Sequence, residues 1–264
     1  MSHHLVEAID LHYSYPDGSH ALNGINFRIT HGESVAIVGA NGAGKSTLLQ
    51  HLNGYLWPTS GEVRIGDYPL TRKNLPDVRR SVGMVFQDSD DQLFMPTVLE
   101  DVAFGPLNLG LPEHEVLQRV ESTLQQVGVL HLKNRPPHRL SSGEKRLVTI
   151  AAVLAMSPDV LVLDEPSAGL DPRSRRQIIQ WLSQYRHTKI LASHDLDLVL
   201  ELCQRTIVLS EGRVLADGST LDIFKDQSLL ERSHLEQPFS LQGCPVCRKD
   251  SKADEHSDNS WGHV

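Results

Sequence analysis

Residues Gly39-Ala-Asn-Gly-Ala-Gly-Lys-Ser46 follow a short apolar run, Ser34-Val-Ala-Ile-Val38, and lead directly into Thr47-Leu-Leu-Gln50. A glycine-rich loop between a buried strand and a helix constrains a chain more than any other feature here. It requires a sheet whose strand ends at a helix N-terminus. Its glycines let backbone N–H groups turn toward phosphates, and the helix dipole favours the same anion. Within such a loop Gly39, Ala40, Asn41, Gly42, Ala43, Gly44 and Thr47 supply backbone, Lys45 reaches the β and γ phosphates, and Ser46 ligates Mg²⁺. A nucleoside triphosphate and Mg²⁺ are therefore expected ligands.

Further β-branched runs recur at Ser81–Phe86, Val160–Leu163, Lys189–Ala192 and Thr206–Leu209. They lack strict polar alternation, as strands covered on both faces do. Helical patterns such as Arg173–Tyr185 and Leu196–Cys203 separate them, so the fold class is α/β with a mainly parallel core sheet. The first thirty residues and Glu62–Tyr68 carry hairpin signals, Pro16-Asp-Gly18, Asn23-Gly24 and Pro58-Thr-Ser-Gly61, and predict an antiparallel β subdomain. Residues 88–156 read as a helical subdomain. After about Ser233 the chain turns polar and carries His and Cys. The expected division is a nucleotide-binding domain over 1–232 and a polar, flexible tail over 233–264.

Composition narrows the function. A net charge of −8 among 264 residues argues against a broad nucleic-acid-binding face. No run approaches the roughly eighteen apolar residues of a spanning helix. The start MSHHLVEAIDL lacks a basic segment followed by an apolar core, which predicts a cytosolic compartment. Three cysteines, Cys203, Cys244 and Cys247, are too few for a disulfide framework. Cys244 and Cys247, with His256 and His263, offer half of a tetrahedral metal site, without a second cysteine pair to complete it.

A second acidic element ends the run Val160-Leu-Val-Leu in Asp164 and Glu165. Carboxylates at a strand's C-terminal end face the ligand crevice of such a sheet. Asp164 suits Mg²⁺, and Glu165 suits the water that attacks the γ phosphate.

Between the two lies Leu140-Ser141-Ser142-Gly143-Glu144, ahead of an apolar helix. This segment resembles the signature motif of ABC ATPases, usually Leu-Ser-Gly-Gly-Gln, and the other motifs of that family follow in order from Leu5 to Phe224. The resemblance implies a P-loop fold of ABC ATPase type and assigns roles. Tyr15 stacks on adenine, Gln87 senses Mg²⁺ and the γ phosphate, and His194 contacts that phosphate. Ser167–Asp171 crosses a dimer interface, with Asp171 at its end. The family closes the signature of one subunit on the ATP of another, so the implied partner is a second ATPase subunit, most simply a second copy. Ser142 and Glu144 depart from the usual glycine and glutamine. Weaker closure with retained hydrolysis is expected, and a heterodimer with a more typical partner gains ground.

The stretch Met95–Asn108 has a capping-box spacing at Thr97 and Glu100, with Gly105-Pro106 read as the helix stop. It resembles the short helix after the glutamine loop of energy-coupling-factor importers. The resemblance implies that Pro96, Asp101 and Phe104 meet an integral membrane T component, with Asp101 facing a basic residue. A substrate-binding membrane component would complete the assembly, with this chain peripheral on the cytoplasmic face of the cell membrane. The wording at His51-Leu-Asn-Gly54 and Asp91-Gln-Leu-Phe94 is most similar to ATPases of cobalt or nickel importers. A vitamin or other micronutrient cargo stays open, as does a soluble ABC module acting on nucleic acid or ribosomes.

Overall fold

The computed structural model describes residues 4–243, with the side chain of residue 4 left aside. The cysteine pair Cys244 and Cys247 and the histidines His256 and His263 lie outside the described residues. Two sheets stack face to face. The first is antiparallel, ordered β2-β1-β4-β5, from β1 (His4–Ser14), β2 (His20–Thr30), β4 (Ser60–Ile65) and β5 (Tyr68–Pro69). The second holds β3 (Ser34–Val38), β6 (Val82–Val85), β7 (Val160–Asp164), β8 (Thr188–Ala192), β9 (Arg205–Ser210) and β10 (Arg213–Ser219) in the order β10-β9-β3-β8-β7-β6. All its pairings are parallel except β10 with β9.

The parallel strands are apolar throughout because each face has its own core. Val35, Ile37, Val160, Val162, Ile190 and Ile207 join the antiparallel sheet, α1 (Lys45–Leu52) and α2 (Leu75–Ser81). Their neighbours Ala36, Val38, Leu161, Leu163, Leu191 and Val208 point to the other side. That side is covered by α3 (Val98–Asn108), α4 (Glu113–Gln126), α5 (Ser142–Leu154), α6 (Pro172–Gln184), α7 (Leu196–Leu202), α8 (Thr220–Lys225) and α9 (Gln227–Arg232). Two-sided burial removes the polar alternation that a half-exposed strand would show. Among the described residues no helix is long and apolar enough to cross a membrane.

Two local expectations are corrected. Gly105-Pro106 does not stop α3, which runs on to Asn108 with Pro106 inside its last turn. Gly105 is instead a point of close approach, where a Cβ would stand 2.7 Å from Met156 Cγ. The chain also stays packed past residue 233. Ser233 is buried and Leu235 packs on the core. Farther along, the Asp197 carboxylate accepts from Phe239 N at 3.1 Å and Ser240 N at 3.0 Å. A polar composition hid these contacts because backbone N–H groups make them.

Candidate nucleotide site

The loop after β3 is shaped by how closely other backbone approaches it. A Cβ on Gly39 would fall 2.3 Å from Leu209 O, and one on Gly44, at φ +102°, 2.7 Å from Ala21 O. Glycine is thus required by packing as well as by conformation. Gly44 hands the chain to α1, where the buried Lys45 extends back along the loop. Its Nζ donates to Gly39 O at 2.8 Å and Ala40 O at 3.2 Å. Tyr15, just beyond the end of β1, is half-exposed and shares a 2.8 Å hydrogen bond with Thr47 Oγ1. Its ring meets Tyr13 edge-on at 5.0 Å.

Asp164 is the last residue of β7 and Glu165 the first beyond it. Asp164 is buried, and its Oδ1 has no hydrogen-bond partner among the described residues. Burial pushes its carboxyl up, Glu165 adds to the rise, and Ser46, Lys45 and Arg146 oppose it. An orphaned carboxylate oxygen beside the Ser46 hydroxyl is the hard oxygen donor set that suits Mg²⁺. Glu165 sits in the left-handed region at φ 48°, an unfavourable place for a residue with a Cβ. Its amide donates to Ala192 O at 2.9 Å, and its Oε2 accepts from His194 N at 3.2 Å. His194 Nδ1 lies 2.8 Å from the same oxygen, while the rest of the imidazole is exposed. The turn therefore aims one buried carboxylate at one accessible histidine.

These pieces converge on a cleft of about 590 Å³ lined by Tyr15, Asn41, Gly42, Gly44, Lys45, Ser46, Thr47, Gln87, Glu165 and His194, together with Ser19, His20 and Ala21. Gly39, Ala40 and Ala43 shape the loop from within. Asp164 lines an adjoining cleft of about 670 Å³, which shares Ser46 and Gln87 and reaches Ser142. The cleft is polar, open and backed by a helix N-terminus, so it can hold a polyphosphate and a divalent ion beside a carboxylate base.

The remaining predicted residues lie elsewhere. Leu140, Ser141, Gly143, Glu144 and Asp171 do not line this cleft; Ser141, Glu144 and Asp171 border a separate hollow of about 660 Å³. Ser141 caps α5 in a reciprocal capping box with Glu144. Ser141 N donates to Glu144 Oε2 at 2.8 Å, and Glu144 N to Ser141 Oγ at 3.3 Å. The Glu144 carboxyl is held low by the Ser141 backbone N–H, so its charge is turned onto its own helix end. Gly143 lets α5 approach α6, since a Cβ there would stand 2.3 Å from Ser174 Oγ. Asp171 caps α6 through the amides of Arg173 and Ser174.

Asp101 is not the outward-facing docking acid that was expected. It is buried at 5% exposure, and its Oδ1 accepts from Phe94 N and Met95 N, each at 3.0 Å. Burial pushes its carboxyl up, against those two amides. Beside the exposed Glu100, α3 and the loop before it present an aromatic pair outward. Phe104 is 40% exposed and meets Phe94, 61% exposed, edge-on at 5.1 Å, with Pro96 and Leu107 exposed nearby.

Sequence reasoning missed three supports. Arg175 grips the Asp195 carboxylate at 2.6 and 2.9 Å, and Asp195 in turn accepts from Ser167 Oγ at 3.4 Å. Burial pushes the Asp195 carboxyl up, but Arg175, the Leu198 amide and Ser167 outweigh it and hold it low. Gln92 and Arg146 bind the backbone around Gln87. Nothing in the residue pattern separates these from surface polar residues, because their partners are distant in the chain or are peptide groups.

A family model described as ABC transporter matches residues 22–168. A putative ABC transporter ATP-binding protein of Geobacter sulfurreducens is 70% identical over 94% of this chain and 99% of its own length. The energy-coupling factor transporter ATP-binding protein EcfA of Methanothermobacter thermautotrophicus is 50% identical over 89% of this chain and 77% of its own. Among solved structures, CbiO1 of Clostridium perfringens, described as part of the ABC transporter complex cbiONQ, superposes with a TM-score of 0.77. It is 43% identical over 88% of this chain and 94% of that one.

Proposed function

The chain belongs to the ABC transporter family and is an ATP-binding, ATP-hydrolysing subunit of it, and from that premise we propose that it drives an energy-coupling-factor importer for cobalt or nickel ions. The observation that carries the motor reading is the single cleft uniting Lys45, Ser46, Gln87, Glu165 and His194. Likeness to EcfA and to CbiO1 supports the importer type.

In this reading Tyr15 stacks on adenine, and the loop Gly39–Thr47 wraps the phosphates with Lys45 between β and γ. Ser46, Asp164 and Gln87 would hold Mg²⁺, which would neutralise phosphate charge. Glu165 takes a proton from the attacking water, held in place by His194, whose exposed ring edge reaches the γ phosphate. The product is ADP and phosphate. The signature Leu140–Glu144 serves the ATP of a second copy, a reading supported by Ser141 and Glu144, which border a different hollow from the cleft of Lys45, Glu165 and His194. Asp171 and the turn before it lie at that junction.

The membrane contact moves from an acid to an aromatic patch. Pro96 and Phe104, with Phe94 and Leu107, offer the apolar surface on which a helix of an integral membrane T component docks. A substrate-binding membrane component supplies cargo selectivity, and this chain is peripheral on the cytoplasmic side. No nucleic-acid role is assigned.

Uptake of radioactive cobalt and nickel into cells with and without this chain tests the reading. Loss of uptake, restored by wild type and not by Phe104→Ala, is expected. Intact metal uptake with lost vitamin uptake would change the cargo and keep the motor. A Glu165→Gln protein that binds ATP yet never associates with membranes would contradict the transport reading altogether.

A further inference from the structure

The loop that carries Gln87 is held by its backbone. Gln92 Oε1 accepts from Phe86 N at 2.8 Å, and Gln92 Nε2 donates to Met84 O at 2.9 Å. Arg146, on α5, donates from Nη1 to Phe86 O at 2.6 Å and from Nη2 to Gln87 O. Three of the four backbone polar groups of Phe86 and Gln87 are therefore bound by side chains.

Arg146 is a costly way to do this. Its side chain is buried at 4% exposure, and its Nε has no partner among the described residues. Burying a cation is unfavourable unless its hydrogen bonds compensate, and an apolar residue of similar size often serves stability as well or better. A planar guanidinium does offer something an apolar side chain lacks: two donors in a rigid fork, here spanning two successive carbonyls. That fork fixes the peptide plane from which the Gln87 side chain projects.

The location of Arg146 adds a mechanical consequence. It is one turn beyond Gly143 on the helix that Ser141 caps, so the start of α5 and Gln87 are joined through one rigid side chain. Lys145, its neighbour, pairs with Asp90 of the same loop and reinforces the connection. We infer that Arg146 is a positioning residue that couples the signature end of α5 to Gln87, so that displacement of α5 sets Gln87 for hydrolysis. It lines the cleft of Ser46, Gln87 and Asp164, but its hydrogen bonds go to the loop backbone. This inference needs the ATPase alone and is independent of cargo and membrane partner.

Steady-state hydrolysis of Mg-ATP by the full chain, normalised to folded protein, tests it in the series Arg146, Arg146→Lys and Arg146→Met. The Lys form keeps a donor without the fork, and the Met form keeps the volume without a donor. Expected is a graded fall in kcat, about tenfold or more for Met, as small misplacements of reacting groups cost that much or more. KM for ATP should stay within about twofold, since the phosphate loop is untouched. The Mg²⁺ concentration for half-maximal rate should rise along the series. Arg119→Met is the control: Arg119 Nη1 likewise holds a carbonyl, Ala155 O at 3.3 Å, but at the far end of α5. It should lower the melting temperature at most and leave kcat unchanged. Should Arg146→Met not fold, the Lys form carries the test, with reduced kcat at constant KM expected. A flat kcat across the series, or kcat and KM changing in step, or Arg119→Met matching Arg146→Met, would overturn the inference.

Discussion

At Asp101 the carboxylate holds two backbone amides, Phe94 N and Met95 N, and keeps the loop before α3 against the helix. Its negative charge is a cost, since burial raises the pKa above the ordinary carboxylate range. Asn keeps an acceptor for both amides and removes the charge. Asp101→Asn is therefore expected to fold with equal or greater stability, whereas Asp101→Leu leaves two amides unpaired and loses about 1–3 kcal/mol. The sign with pH follows from the raised folded pKa. The folded protein takes up the Asp101 proton first, so protonation adds stability as pH falls from the folded pKa toward the ordinary value near ~3.9. The advantage of Asn over Asp in thermal melts should be largest at neutral pH and shrink as the solution is acidified. A constant advantage would show that the charge is not the cost. An acid in the first turn of an amphipathic helix reads as solvated because sequence records position, while the loop that folds over it is set by tertiary structure.

The elements divide by how locally their causes act. Strands β3, β6, β7, β8 and β9 were legible because burial on both faces leaves an unbroken apolar run. The P-loop was legible for a similar reason, its glycines being dictated by contacts with Leu209 and Ala21 that leave no room for a side chain. The end of α3 was not, since Pro106 in a last turn loses only one helical hydrogen bond, too little to stop a helix packed along α4 and α5. Helix α5 shows both sides. Its capping box is a local pattern, yet in the sequence Glu144 stood out only as a departure from the usual glutamine, and the structure shows it capping its own helix. Glutamine can make the same reciprocal contact. Glu144→Gln should therefore change neutral-pH stability by no more than about 0.5 kcal/mol, while Ser141→Ala should lose about 1 kcal/mol. The Glu144 carboxyl is held low by the Ser141 amide, so its contribution is present above the ordinary glutamate pKa and is lost as pH falls through the lowered one. The Gln form should be flat over that range, and parallel pH profiles for the two would contradict the cap.

For the whole molecule, the governing fact is that Ser141, Glu144 and Asp171 lie apart from the phosphate loop of the same chain. The cleft holding Lys45, Glu165 and His194 is not lined by the signature segment; Ser141 and Glu144 border another hollow beside Asp171, and Ser142 alone reaches the adjoining cleft of Ser46 and Asp164. Order along the sequence announced the parts, and the proposed second copy would supply the ones that lie apart in this chain. Cargo stayed illegible in the sequence because, in the proposed function, this chain touches a partner helix and ATP and its residues answer to those. The central claim, a site completed by a second copy around ATP, is tested most directly by the mass in solution of Glu165→Gln, measured by sedimentation with and without Mg-ATP. The account predicts a monomer without nucleotide and a dimer holding two ATP molecules with it, abolished by Lys45→Ala. A Glu165→Gln protein that binds Mg-ATP and remains a monomer at every concentration would contradict it.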